Sequence, residues 1–310
     1  MAYLFLSGNQ RSGKTLLQLM LCSHPEITIS PGTNVIAKML YHYPRDRPLG
    51  EKGLRDLKRI LQKDRKWKAW RVDHRSFIER VNAYRDVTPR DVVHDLMSFF
   101  RDQTKPGARY IGNKKGCYSK EGDVVKRVFP DAKLVFIVRD ARGAVSSMLE
   151  TQPEHDIYSA SLTWRLKARR IREIQSAFPR DVHVVRYESL VSDPERASRA
   201  LCSFLDLDYD PAMLRDYRSN DAIRHRTDTT HHETYQGITT SMIDEWKERL
   251  RGDQVETIEG IAGRELVEHG YPLASAGPHR LRDRARLRLM VARDQSAWWL
   301  HHRRSLAVVG

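Results

Sequence analysis

The sequence predicts an α/β fold, a three-layer arrangement with a central parallel sheet flanked by helices, on three observations. Residues 3–7 are a short apolar run closed by a glycine, the pattern of a buried strand. A glycine-bearing loop, residues 8–14, and an apolar helix over residues 15–23 (TLLQLMLCS) follow directly. Strand, loop and helix in that order open a nucleotide-binding α/β unit. Residues 133–138 (KLVFIV) are continuously apolar, as strands buried on both faces of a parallel sheet are.

The remaining elements read in order along the chain. Residues 26–30 suit a second short strand, ended by Pro31-Gly32, and residues 35–43 a helix. From about 45 to 108 the chain is polar, basic and helix-like, with WKAWRVDHRSF in its middle, and is expected to be a helical insertion. Residues 110–112 suit a brief strand, 141–149 and 159–178 helices, and 182–187 (VHVVRY) another strand. Asp193-Pro194 opens a helix to residue 205, with Asp as cap and Pro in the first turn. A polar stretch over 218–237 reads as a loop, and helices are expected over 241–251 and 253–269. Residues 1–275 are therefore expected to form one domain, with 276–310 a basic amphipathic helical extension.

Fifty-four Lys and Arg against 40 Asp and Glu leave a net charge of +14, so anions are the expected ligands, although charge alone does not rank them. Cys22, Cys117 and Cys202 are odd in number, far apart and without a CxxC pair, which argues against a disulfide framework or a zinc site. No basic start precedes the N-terminal apolar run, and no run of about 18 apolar residues exists. These features lead to the expectation of a cytoplasmic protein.

The loop from Gly8 to Thr15, GNQRSGKT, satisfies G-x-x-x-x-G-K-[ST]. Glycines there let backbone N–H groups converge on phosphate oxygens, the helix N-terminus adds partial positive charge, and Lys and Thr add side-chain donors. An ATP or GTP enzyme, such as a small-molecule kinase, would add an acidic magnesium partner at a strand end. Strand 133–138 leads instead into Arg139-Asp140-Ala141-Arg142, and an arginine there points to a second phosphate, outside the usual chain.

Four stretches, SGNQRSGKTLLQLMLCSHPEI, KRVFPDAKLVFIVRDARGAVSSML, VHVVRYESLVSDPERASRALCSFLDL and SMIDEWKERL, resemble the P-loop sulfotransferases. The likeness is to the branch with tyrosylprotein and bacterial carbohydrate sulfotransferases, in the family's order, over residues 3–271. It implies the P-loop-type fold and transfer of a sulfuryl group from 3'-phosphoadenosine-5'-phosphosulfate to an acceptor hydroxyl, with no metal required. It also implies that Arg11, Ser12, Gly13, Lys14 and Thr15 hold the 5'-phosphosulfate and that Arg139 and Ser147 hold the 3'-phosphate. Tyr187 resembles an adenosine-side tyrosine, and Lys114, in Gly112-Asn113-Lys114-Lys115, a lysine brought toward the reaction centre. On this likeness Lys14, Arg11 and Lys114 are the catalytic cations. Bland alternatives stand beside these roles: an ion pair of Arg139 with Asp140 or Asp131, an ordinary helix serine at 147, a core aromatic at 187 and a surface lysine at 114.

Departures from the family bear on the acceptor. Tyrosylprotein-type members carry a glutamate base where this chain reads Ser30-Pro31-Gly32-Thr33-Asn34, which has no carboxylate. Lys14 stands where threonine is common, and Glu245 precedes Trp246 where some members have a basic residue that Lys247 would replace. His24, Glu26, His42, Asp73 and His74 are the candidate bases, with helix capping the competing role for His24. His225, His231, His232 and Glu233 lack helical metal-ligand spacing, so no metal is expected there. The insertion's basic and aromatic residues suit a saccharide or glycolipid acceptor; no nucleic-acid recognition motif is present. Residues 280–304 alternate arginines with apolar residues and end near Trp298-Trp299, which suits a peripheral membrane contact or a helix docked on protein.

Overall fold

The computed structural model describes residues 1–43, 46–219 and 237–274. In chain order the elements are β1 (Ala2–Gly8), α1 (Lys14–Ser23), β2 (Ile27–Ser30) and α2 (Asn34–His42), then α3 (Gly50–Lys63), α4 (Arg65–Lys68), α5 (His74–Asn82) and α6 (Pro89–Thr104). There follow β3 (Tyr110–Lys114), α7 (Tyr118–Val128), β4 (Lys133–Val138), α8 (Ala141–Thr151), α9 (Ile157–Ala177) and β5 (Val182–Arg186). The chain continues through α10 (Tyr187–Ser192), α11 (Pro194–Phe204), α12 (Ala212–Arg215), α13 (Trp246–Arg249) and α14 (Gly252–Glu268).

All strands pair in parallel, in the order β2-β3-β1-β4-β5. The apolar runs of β1 and β4 face both ways, as the sequence predicts. Leu4, Leu6, Val135 and Ile137 join one core with side chains of α1, α10, α11 and α12. Phe5, Leu134, Phe136 and Val138 join the other with α2, α7, α8, α9 and α14. Helix, sheet, helix is the three-layer α/β architecture expected. Parallel pairing aligns the C-terminal ends of β1, β2, β3, β4 and β5 along one edge, where ligands bind in open α/β sheets.

The helical insertion forms, and its apolar residues join the α2-side core. Trp67 packs on Trp70 at 5.1 Å and on Phe77 at 5.2 Å, and Trp70 on Phe100 at 5.1 Å. Trp67 and Trp70 are 1% and 2% exposed, so these aromatics build the core and offer no stacking face to a sugar. That corrects one ground for a saccharide acceptor. Asp193 caps α11 as expected, accepting from the Arg196 N–H at 3.0 Å.

Several elements differ from the sequence reading, which lacks the short helices α10 and α12. Helix α7 is absent from that reading; its polar composition is broken by Gly122, and Glu121 is non-helical at φ −132°, ψ 29°. The helix expected over 241–251 is only one turn, α13. Before it, Ser241 N–H donates to Thr239 Oγ1, Ile243 N–H donates to the Thr240 carbonyl, and the Met242 carbonyl accepts from Arg139, so that backbone bonds locally and to the site. The 276–310 extension, most of the polar stretch before residue 237, and His225, His231, His232 and Glu233 lie outside the described residues. Among the described residues no helix is long and apolar enough to cross a membrane.

Burial, with Asp123 adding to it, pushes the Glu121 carboxyl up to about 7 from 4.5, against the opposing pull of Lys120, Tyr41 and Arg170. The fold thus holds this proton more tightly than the unfolded chain does. Its stabilising contribution is fully present below pH 4.5 and lost as pH rises through about 7. Glu121→Gln is expected to flatten that loss, making the variant more stable than the parent above about pH 8 in urea unfolding. Parallel pH profiles for the two proteins would contradict this.

Candidate active site

The loop between β1 and α1 takes its shape from two glycines. A Cβ on Gly8 would lie 2.1 Å from the Ile137 carbonyl oxygen, so only glycine lets β1 leave the sheet beside β4. Gly13 precedes α1 at φ +83°, where a Cβ would also lie 2.7 Å from Tyr187 Cδ2. Arg11 is left-handed as well, at φ 54°. The Ser12 hydroxyl donates to the Asn9 carbonyl at 2.7 Å, and the Lys14 amine donates to the same oxygen. No side chain caps α1, whose first N–H groups head the loop as anion donors.

Cations converge on this loop. Lys114, at the end of β3, donates to Thr15 Oγ1 at 3.1 Å. Lys167, from α9, donates to Gln10 Oε1 at 2.7 Å. Burial, then the charges of Lys167, Lys114 and Arg11, hold the Lys14 pKa well below its usual range. Such crowding of like charge suits a site that an anion completes.

The third part of the site follows β4. Arg11 Nε donates to Ser147 Oγ at 2.9 Å, and Arg139 Nη1 donates to the Arg11 carbonyl at 3.3 Å. Arg139 lies over the Tyr187 ring at 4.8 Å and donates through Nη2 to the Met242 carbonyl at 2.5 Å. Trp164 Nε1 donates to the Arg139 carbonyl at 2.9 Å, which anchors the backbone at the strand end. Arg11, Ser12, Gly13, Lys14, Thr15, Lys114, Arg139, Ser147 and Tyr187 thus come together at the sheet's C-terminal edge. Two buried groups there, the Asn9 side-chain amide and Arg139 Nε, lack protein partners among the described residues. A buried amide and a guanidinium N–H beside a cation cluster fit an anionic ligand.

Asp140, the acidic residue at that strand end, is committed elsewhere. It pairs with Arg142 at 2.6 Å and caps α8 through the Arg142 N–H at 2.8 Å. Arg142 also pairs with buried Glu259 at 2.8 Å and lies over the Trp246 ring at 4.3 Å. Glu188 accepts from the Asp140 N–H at 2.9 Å and the Tyr271 hydroxyl at 2.7 Å. The Tyr187-Glu188 turn, Trp246 and α14 are therefore one buried polar frame behind Arg139. Lys247 pairs with Asp244 at 2.9 Å.

The candidate bases are not gathered here. His24 follows α1 at the end remote from the loop, roughly 15 Å along a ten-residue helix. Its Nε2 donates to the Asp208 carbonyl at 2.9 Å and its Nδ1 accepts from the Glu26 N–H at 3.1 Å, so both nitrogens are used. Glu26 precedes β2 and so lies at the sheet's opposite edge. His42 ends α2. Asp73 caps α5, accepting from the Ser76 N–H at 3.1 Å, and His74 donates to the Trp67 carbonyl at 3.0 Å.

Sequence reasoning missed the carboxylate that reaches residues 30–34. Buried Asp64, the cap of α4, accepts from the Thr33 hydroxyl and the Asn34 N–H, both at 2.6 Å. Lys115 donates to the Thr33 carbonyl at 2.6 Å and Asn34 Oδ1 at 2.7 Å. The insertion is thereby fastened to the rim beside Lys114. Gln10 and Lys167 were missed too. No spacing signal joins residues 157 positions apart; only the fold does.

The family model described as "Sulfotransferase family" matches residues 4–211. A protein-tyrosine sulfotransferase of Drosophila melanogaster is 24% identical over 274 residues, covering 84% of this chain and 50% of that protein. A putative protein-tyrosine sulfotransferase of Caenorhabditis briggsae is 24% identical over 288 residues, covering 89% and 91%. The chain spans about half the length of the fly relative. The sulfotransferase domain of the curacin biosynthetic pathway superposes with TM-score 0.62 at 20% identity, covering 88% of this chain and 98% of that one. That of the Synechococcus PCC 7002 olefin synthase gives 0.64 at 21%, covering 88% and 95%. These structures share the fold. With the family model matching about two thirds of its residues, this chain belongs to the sulfotransferase family.

Proposed function

We propose that the chain moves a sulfuryl group from 3'-phosphoadenosine-5'-phosphosulfate onto an acceptor hydroxyl. The observation that carries the reading is the convergence of two anion-binding sets at one sheet edge. The loop from Arg11 to Thr15, with Lys114, suits the 5'-phosphosulfate. Arg139 and Ser147, joined through Arg11, suit the 3'-phosphate, and Tyr187 the adenosine side. When bound, this donor supplies an electrophilic sulfur on a phosphate leaving group.

In the transfer the acceptor oxygen bonds to sulfur, the bond from sulfur to the 5'-phosphate oxygen breaks, and the acceptor proton passes to a base. Charge grows on the leaving oxygen, where fixed cations stabilise it best because they need no reorganisation. Lys14, Arg11 and Lys114 are suited to that work. Lys114→Met is expected to lower kcat by about 10²–10³ while bisphosphate affinity falls much less. Equal losses in both would make Lys114 a binding residue only.

For the acceptor, the reading is a hydroxyl of an anionic saccharide or glycolipid. Exposed Arg65, Lys66 and Lys68 of α4 are tied by Asp64 to the rim at Thr33-Asn34, which gives that rim positive charge. Residues 30–34 also lack the glutamate that the tyrosylprotein resemblance would place there. A cytoplasmic site of action, with membrane contact through residues 280–304, belongs to the same proposal; Cys22, Cys117 and Cys202 form no disulfide. A panel of anionic saccharides, glycolipids and tyrosine peptides with labelled donor tests it. Label in saccharide or glycolipid supports the reading, and label in tyrosine peptides alone overturns it.

A further inference from the structure

Helix α9 sends Lys167 inward, although most charged residues of that helix face solvent. Its side chain is buried, 8% exposed by residue area, and donates to Gln10 Oε1 at 2.7 Å. Gln10 lies in the turn of the anion-binding loop, between Asn9 and left-handed Arg11. Because the amide oxygen takes the lysine proton, the Gln10 NH2 is the end left to donate elsewhere. Among the described residues that NH2 donates to no protein group. Beyond burial, the charge of Lys167 lowers the Lys14 pKa, as do those of Lys114 and Arg11. A further buried cation beside a lysine adds like-charge repulsion, which an anion sharing the space would offset.

We propose that Lys167 is a positioning residue of the donor site, fixing the Gln10 amide with its NH2 toward the bound anion and adding charge to the loop. The inference rests on the donor reading above. Two consequences separate it from ordinary core packing. First, the unliganded site is strained by like charge, so removing Lys167 relieves the empty protein while weakening anion binding. Second, burial and then the charges of Lys167, Lys114 and Arg11 keep Lys14 easier to deprotonate, so anion affinity falls as pH rises through the lowered Lys14 pKa. Without Lys167 that fall moves to higher pH.

The test is calorimetric titration of the wild type, Lys167→Met and Lys167→Arg with adenosine 3',5'-bisphosphate, from about pH 6.5 to about pH 10. Melting temperatures without ligand are measured in parallel. Lys167→Met is expected to bind about tenfold more weakly at neutral pH, with its affinity declining at higher pH than the wild type's. It should melt no lower than the wild type without ligand, and Lys167→Arg should bind within about threefold of the wild type. A wild type that binds, with a Lys167→Met variant of equal affinity and unchanged pH profile, overturns the inference alone. Unliganded Lys167→Met and Lys167→Arg both melting well below the wild type assigns Lys167 to packing, which also overturns it. A wild type that does not bind the bisphosphate sinks the donor reading itself.

Discussion

Arg139→Ala is expected to weaken binding of adenosine 3',5'-bisphosphate by about 2–5 kcal/mol, roughly 30- to 4,000-fold, with little change in the unliganded fold. Arg139 is 6% exposed, its guanidinium lies over Tyr187, and its Nε keeps a donor that no protein group accepts among the described residues. Its charge is thus already desolvated before ligand arrives, which makes a charge-assisted bond to phosphate strong. Calorimetric titration reads the loss. Because Arg139 also holds the Arg11 and Met242 carbonyls, Arg139→Lys separates charge from shape. A lysine retains the charge without the fork, so it should recover only part of the affinity. If alanine leaves affinity within about threefold, the 3'-phosphate is held elsewhere.

Arg142→Met is expected to cost about 3–5 kcal/mol of stability. The Arg142 side chain is 5% exposed and that of Glu259 is fully buried, so removing the arginine leaves a buried carboxylate facing a thioether. Asp140 loses its 2.6 Å partner at the same time, beside Arg139. Urea unfolding with an unchanged m-value would read this as a stability loss in an intact fold. Donor affinity should fall as well, because Asp140 caps α8, the helix that carries Ser147. A loss below about 1 kcal/mol would mean that the network only decorates the fold.

Much of the fold is legible in the sequence because burial on both sheet faces leaves a strong local signal. KLVFIV is β4 residue for residue, and Asp193-Pro194 marks the start of α11. Helix α7 escaped because its buried residues include Ser119, Glu121, Gly122 and Lys126, which carry no apolar periodicity. The expected helix over 241–251 failed for the opposite reason, since local pattern gave way to the contact of Met242 with Arg139. The donor side of the site was legible as motif residues at four strand ends, after β1, β3, β4 and β5. The acceptor side was not. Asp64 meets Thr33 across 31 residues, Lys167 meets Gln10 across 157, and the tryptophans that suggested a sugar face are core.

The most direct test of the central claim is thermal stabilisation by adenosine 3',5'-bisphosphate without metal, compared with ATP with and without magnesium. At about one hundred times its dissociation constant a site-specific ligand adds about 2.7 kcal/mol, a clear rise in melting temperature. The two-phosphate site around Lys14 and Arg139 predicts that rise with the bisphosphate alone and little with ATP–magnesium. Stabilisation by ATP–magnesium without any by the bisphosphate would contradict the assignment of Arg139 and Ser147 and with it the proposed donor.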